Sequence, residues 1–393
     1  MQLPLIALFI AAFAFGTTEF VIAGVLPQVA DGLGVTVPTA GYLVSGYALG
    51  IAIGGPSLTI ATARISRKTL LIALAIAFTV GQAACALAPD FASMLLLRFA
   101  TALAHGVFFG VAMVVATSLV PEEQRGRAVA LVLAGLTVSN IIGVPAGTAI
   151  GNAFGWRSTF WAMFILGLVA LAAMIALLPR RTGAARPAGI RSEVRVLGRQ
   201  QVWSSLIMML MLMIGQFVPF TYITPMLMQV TGLAESFVPW VLLAVGVGST
   251  IGVFAGGRLA DWNLMPTLIA LTVVQAAVLV LVYFVSPYPM PMIVVLTLWG
   301  ALNFAIGTAI QTRILGWTAD APNLASSLIP AGFNVGIALA AFIGAVLLNG
   351  GFGYRSLPVL GVFAMILAAG VALASSTAER RSGQTPPVPA AAE

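Results

Sequence analysis

Charge is what this chain lacks. Of its 393 residues only 7% are Asp, Glu, Lys or Arg, where a soluble protein carries about 25%. Cysteine occurs once, at Cys85, which excludes an intramolecular disulfide and a cysteine-based metal cluster. Histidine also occurs once, at His105, so a His-based metal site is excluded too. No GxxxxGK[ST] loop is present and no soluble segment could house one, so no nucleotide drives the molecule. No nucleophile–base set is visible in the apolar segments, and an enzyme is not expected. The formal charge of +7 would suggest nucleic acid in a soluble protein. Here the arginines sit between apolar runs, where membrane topology places them, and no nucleic-acid partner is expected.

What is present is hydrophobic: 60% of the residues, in long runs that reach the roughly 20 residues needed to span a bilayer. The short alternating segments of an outer-membrane barrel are missing. The composition predicts an all-α polytopic membrane protein. The opening MQLPLIALFIAAFAFG has no basic n-region and reads as a first transmembrane helix, not a cleaved signal. Apolar runs and their polar punctuation predict twelve spans, near 4–26, 40–60, 69–88, 92–118, 127–150, 157–178, 201–226, 236–256, 264–285, 290–314, 324–348 and 354–376. The Arg-, Gly- and Pro-rich stretch RRTGAARPAGIRSEVRVLGRQ divides them. Residues 1–179 are then one six-helix bundle, 180–200 a cytoplasmic linker and 201–376 a second bundle. The tail 377–393, ending SGQTPPVPAAAE, reads as disordered.

With the N-terminus in the cytoplasm, Arg64, Arg67, Lys68, Arg125, Arg127, the linker arginines, Arg258, Arg313, Arg380 and Arg381 all fall inside. The other face keeps Arg157 and Arg355 near span ends, with Asp31, Asp90 and Glu235 in its loops. This is the positive-inside pattern, with both termini cytoplasmic. The two portions echo each other weakly. GTTEFVIAGVLPQV from Gly16 is matched by GQFVPFTYITPMLMQV from Gly215, and FGWRS at 154–158 by FGYRS at 352–356. Six spans per portion make this a parallel repeat, the arrangement used for alternating access to a central site.

Over essentially its whole length the chain resembles the major facilitator superfamily. More narrowly it resembles the twelve-span drug:proton antiporter branch and bacterial sugar-efflux and chloramphenicol-efflux permeases, which implies a bacterial inner membrane. GTTEFVIAGVLPQVA at 16–30 is the most specific match. TIATARISRK at 59–68 resembles the family's Gly-x-x-x-Asp-Arg-x-Gly-Arg-Lys loop at Arg64, Arg67 and Lys68, with Thr59, Ala63 and Ser66 departing from it. GGRLAD at 256–261 keeps Asp261 but lacks the following basic run. LLLRFATALAHG places Arg98 and Gly106 at the positions of an intramembrane Arg motif. GLTVSNIIGVPAGTAIG resembles the antiporter motif at Gly143, Pro145, Gly147 and Gly151, which the family associates with exporters. The small residues permit close helix approach, and Pro145 removes a backbone hydrogen bond.

Glu19 stands where hydrocarbon should hold no charge. It lies about 22 Å along its helix from one face, and Arg98 about 9 Å from the other. The resemblance implies that spans 1 and 4 line a central cavity, so Glu19 and Arg98 are expected as a direct or water-bridged pair. Proton or substrate coupling, a static ion pair and an interfacial position for Glu19 are the alternatives. His105, two turns beyond Arg98, is a proton relay or a packed polar residue. The later spans hold no comparable acid but offer Gln216, Tyr222, Trp299, Asn303 and Gln311. These could stack on and hydrogen-bond an uncharged solute, or simply join helices.

The function expected is proton-coupled efflux of a small uncharged or drug-like molecule or a sugar, by a monomer that needs membrane lipid and no cofactor beyond the proton gradient. A metabolite importer or uniporter, or a receptor without transport, is the alternative.

Overall fold

The computed structural model describes residues 3–62, 64–179 and 195–383. Its regular structure there is helical throughout, as hydrocarbon demands, because a helix satisfies its backbone groups within one segment. Eleven helical stretches are long and apolar enough to cross a membrane. In chain order the helices are α1 Leu3–Gly24, α2 Leu26–Gly32, α3 Val37–Ala61, α4 Arg67–Leu87, α5 Phe91–Ser118, α6 Arg125–Val138, α7 Val144–Phe154 and α8 Trp156–Leu177. They continue with α9 Gln200–Thr221, α10 Ile223–Gln229, α11 Val238–Val285, α12 Pro289–Trp317, α13 Pro322–Asn349 and α14 Leu357–Ser382.

Proline and polar caps explain where the helices break. Val25, at φ −113° and ψ 13°, separates α1 from α2, where Pro27 occupies the first turn. Tyr222, at φ −110° and ψ 25°, separates α9 from α10, so the span expected at 201–226 is two helices. The spans expected at 236–256 and 264–285 lie on one helical run of 48 residues, α11, broken at Asn263 (φ −159°, ψ 94°). Pro266 cannot donate to the carbonyl of Trp262 and its ring crowds that group, which forces the break. The Thr267 hydroxyl donates to Leu259 O at 2.8 Å across eight residues. A straight helix would hold those residues about 12 Å apart, so the chain turns back here. The span expected at 127–150 contains a π turn, Ser139–Gly143, just ahead of Pro145, whose missing N–H is accommodated by the wider turn.

Two sequence boundaries move. The tail expected from residue 377 is still helix as far as Ser382, because Glu379 is tied to the helices beside it. The Arg313 guanidinium, almost wholly buried, meets Glu379 Oε1 at 2.5 Å, Ser375 Oγ at 2.8 Å and Ser205 Oγ at 2.9 Å. Of the expected linker 180–200, residues 180–194 lie outside the described residues, Arg195–Gly198 form a 3₁₀ turn, and Gln200 already begins α9. Residues 384–393 of the tail also lie outside them.

Charged side chains close helix ends, where carbonyls lack intrahelical donors. Arg157 donates to Ala88 O beyond α4 at 3.0 Å, and Arg355 to Tyr283 O in the last turn of α11, also at 3.0 Å. Lys68 donates to Ile175 O at 3.3 Å and to Leu178 O at the end of α8. Arg199 grips Asp320 through two hydrogen bonds of 2.7 and 2.6 Å. Those bonds hold the Asp320 carboxyl below its ordinary range and raise Arg199.

Residues before 180 and after 194 are joined by several direct contacts. The Gln28 amide donates to Asn152 Oδ1 at 2.7 Å and to Glu235, while Asn152 Nδ2 donates to Glu235 O at 2.9 Å. Ser45 donates to Ala338 O at 3.0 Å. The Thr224 hydroxyl donates to Ala23 O at 2.7 Å. That carbonyl lost its helical donor when residue 27 became proline, and a hydroxyl from the other portion of the chain supplies one.

Candidate functional site

Small residues bring α1 and the α6–α7 segment close enough to define one wall. A Cβ at Gly143 would sit 2.0 Å from Thr17 Oγ1, one at Gly147 2.6 Å from Val21, and one at Gly151 2.6 Å from Val25. The two series advance four residues at a time, so the glycines form a groove for one ridge of α1. Pro145 is buried behind the π turn. The backbone of that turn lies against α11, where a Cβ on Gly246 would be 2.3 Å from Asn140 O.

Glu19 comes off α1 on the face opposite this seam and meets α5. Its Oε2 is 3.6 Å from His105 Nε2, an electrostatic contact longer than a hydrogen bond. His105 Nδ1 is 2.9 Å from the Tyr47 hydroxyl on α3. The imidazole, 3% exposed, is held edge-on by Phe15 and Tyr47, with ring centroids at 5.3 and 5.7 Å. Carboxylate, imidazole and phenol thus form one line across three helices. Each ring nitrogen faces a polar group, the Glu19 carboxyl on one side and the Tyr47 hydroxyl on the other.

Arg98 is not the direct partner that its depth suggests. Among the described residues no ion pair joins it to Glu19. Its guanidinium lies over the Tyr47 ring, 4.4 Å from the centroid, and its Nε donates to Leu43 O at 3.3 Å. One terminal nitrogen is buried without a hydrogen-bond partner. On α5, which Asp90 caps, Arg98 lies two turns nearer the Asp90 end than His105, and it is His105 that comes level with Glu19. Tyr47 bridges the two.

Glu19 also borders a small chamber shared with Tyr47, Phe217 and Phe220. Beyond Phe20, Phe217 and Phe220 opens a larger cleft, lined as well by Trp299, Asn303 and Asn140. Trp299 and Asn303, four residues apart, do share this face. Phe220 stacks on Trp299 with centroids 5.8 Å apart and planes at 19°. Gln216, next to Phe217 in the chain, is fully buried and lines neither cavity, and neither amide atom has a partner among the described residues.

The other expected solute residues stand apart from the cleft. The Tyr222 hydroxyl donates to Ala341 O at 3.0 Å, and its ring fills the space left by Gly41 and Gly344. Gln311 is two turns past Asn303 and half-buried. At the basic end of the molecule Ser66 caps α4 by accepting from Thr69 N, Arg67 opens the helix, and Arg64 is exposed. Asp261 is exposed without an ion pair among the described residues. Phe20, Tyr47, Phe217, Phe220 and Asn140 were not anticipated as site residues. The signal for Phe20 was its place beside Glu19, and for Asn140 its place beside Pro145. The others are unremarkable apolar-run residues until the helices pack.

Residues 8–316 match the family model described as Major Facilitator Superfamily. The inner membrane transport protein YdhP of Escherichia coli is 38% identical over 370 residues, 94% of each chain. The chloramphenicol resistance protein of Streptomyces lividans is 32% identical, covering 89% of this chain and 90% of that one. A bacterial homolog of the human lysosomal transporter Spinster, solved inward-facing and unoccupied, superposes with a TM-score of 0.74 over 98% of both chains at 17% identity. With its family model, its relatives and its fold in agreement, this chain belongs to the Major Facilitator Superfamily of small-molecule membrane transporters.

Proposed function

We propose that the protein exports a small uncharged or drug-like solute from the bacterial cytoplasm in exchange for protons, by alternating access. In this reading α11 makes two passes, giving twelve in all. Residues 1–179 and 201–376 form two six-helix bundles joined by a cytoplasmic linker, 180–200, and both termini are cytoplasmic. One chain suffices as the working unit. Glu19 takes a proton when the site faces outside and gives it up inside. His105 and Tyr47 extend its path, and Arg98 sets the field around Tyr47. Solute occupies the cleft on Trp299 and Asn303, with Gln216 behind the wall. Arg64, Arg67, Lys68 and Asp261 belong to the cytoplasmic gate, and Gly143, Pro145, Gly147 and Gly151 let α7 slide on α1.

The observation that carries this reading is that Glu19, in contact with His105, shares its aromatic wall with the cleft. An intramembrane acid facing an internal cavity is a functional site by default. The relative named for chloramphenicol resistance supports a drug-like cargo.

Proteoliposomes holding the full chain, with chloramphenicol or arabinose as the trapped solute, test it under an imposed pH gradient. Wild type should move solute against the proton flux. Glu19→Gln should insert and melt normally yet lose at least a hundredfold of gradient-driven flux. Intact flux indifferent to either polarity of the gradient would reject proton coupling, and flux in the same direction as protons would make the protein an importer.

A further inference from the structure

Taking the cleft as the solute site, as proposed above, we infer that it is built for an uncharged, flat aromatic solute carrying a hydrogen-bond acceptor, and that Trp299 selects it. Phe20, Phe217, Phe220 and Trp299 line it together. The near-parallel Phe220 and Trp299 rings extend a stacking surface that a third flat ring can join.

No residue lining the cleft is charged. Its polar groups are few, and most are already engaged. Ser249 donates to Val245 O at 2.8 Å, and Asn140 Nδ2 to Leu136 O at 3.0 Å. The indole N–H of Trp299 is different. It is buried, and it has no hydrogen-bond partner among the described residues. An indole nitrogen only donates, and a buried donor left unpaired is costly, so the missing partner is an acceptor. Asn303, on the same face and without a side-chain hydrogen bond among the described residues, can serve a second polar group.

This donor separates the classes of solute. A sugar would bring a ring of hydroxyls into walls that answer only a few of them, leaving the rest unpaired. A cation would be drawn to the rings, but the free N–H repels it, and the nearest carboxylate, Glu19, borders the adjoining chamber. A carbonyl on a neutral aromatic satisfies both the rings and the indole.

Equilibrium binding to the purified full chain in lipid nanodiscs, corrected against empty nanodiscs, tests this with four probes. They are 7-methoxycoumarin, its shape analogue without a carbonyl 2-methoxynaphthalene, the cation N-methylquinolinium, and arabinose. The coumarin should bind five- to tenfold tighter than the naphthalene, and the cation and the sugar at least tenfold more weakly than the coumarin. Trp299→Phe, which keeps a ring for stacking, should erase the preference for the carbonyl. Should that variant fail to fold, the wild-type ranking of the four probes decides. A cation or sugar that binds as well as the coumarin, no binding by any probe, or a carbonyl preference that survives Trp299→Phe would overturn the assignment. No gradient is present, so failure here leaves proton coupling standing, and failure of the vesicle assay leaves the ranking standing.

Discussion

Arg157 and Arg355 do the same work in the two portions of the chain. Each follows an FG-aromatic turn, donates to a carbonyl at the end of a helix, and lies over an aromatic ring, Trp156 at 4.2 Å and Tyr283 at 4.5 Å. Away from that shared corner the portions differ in where they keep charge. The first holds Glu19, His105 and Arg98 deep among its helices. The second keeps its buried charges, Arg313 and Glu379, near the basic end, and offers neutral groups at mid-depth: Gln216, Trp299 and Asn303. The two portions therefore share what holds these helix ends and differ in the middle. Charge in the middle of one portion suits a proton, and its absence in the other suits a neutral solute.

The comparison breaks most sharply at the relay. His105→Phe keeps the aromatic packing among Phe15, Tyr47 and Phe109 but removes the proposed proton carrier. If the proposed coupling holds, it should cut gradient-driven flux on the order of a hundredfold, while solute counterflow without a gradient persists. Comparable losses in both assays would make His105 a packing residue instead.

The charge cluster of the second portion should affect stability and leave coupling alone. Glu379→Gln strands the buried Arg313 guanidinium and should cost about 3 kcal/mol, read as a lower melting temperature in detergent. The pH dependence of flux in the surviving protein should match wild type. A shifted flux profile would place this cluster in the proton path and blur the contrast.

The smallest effect is expected at the surface. Arg199 and Asp320 are partly exposed, so Asp320→Asn should cost only about 0.5 kcal/mol after solvent screening. Because Asp320 is held below the usual carboxylate range by Arg199, its contribution is complete above about pH 4 and is lost as pH falls through the lowered folded value. Wild type and variant should converge in acid. A constant difference at every pH would show that the ion pair adds nothing.

Legibility followed the physics of each residue. The spans were readable because long apolar runs leave few alternatives in hydrocarbon, and Glu19 was readable because charge there is rare. Tyr47 and Phe217 were not, since one phenol and one phenyl among 60% hydrophobic residues carry no pattern. The reversal at Asn263 hid inside a continuous helical run, and Glu379 hid in what reads as a polar tail.

By itself the sequence determined that the chain is a polytopic helical membrane protein, with Glu19, Arg98 and His105 as its unusual intramembrane groups. Both follow from composition, because burial of polar groups in lipid is costly wherever the helices go. Only the tertiary structure decided that Glu19 meets His105 and not Arg98, and that Phe20, Phe217 and Phe220 stand between this pair and the Trp299 cleft. Those pairings depend on the relative height of α1 and α5 and on the groove of glycines that seats α1 on α7. Such distances arise only when separate helices pack.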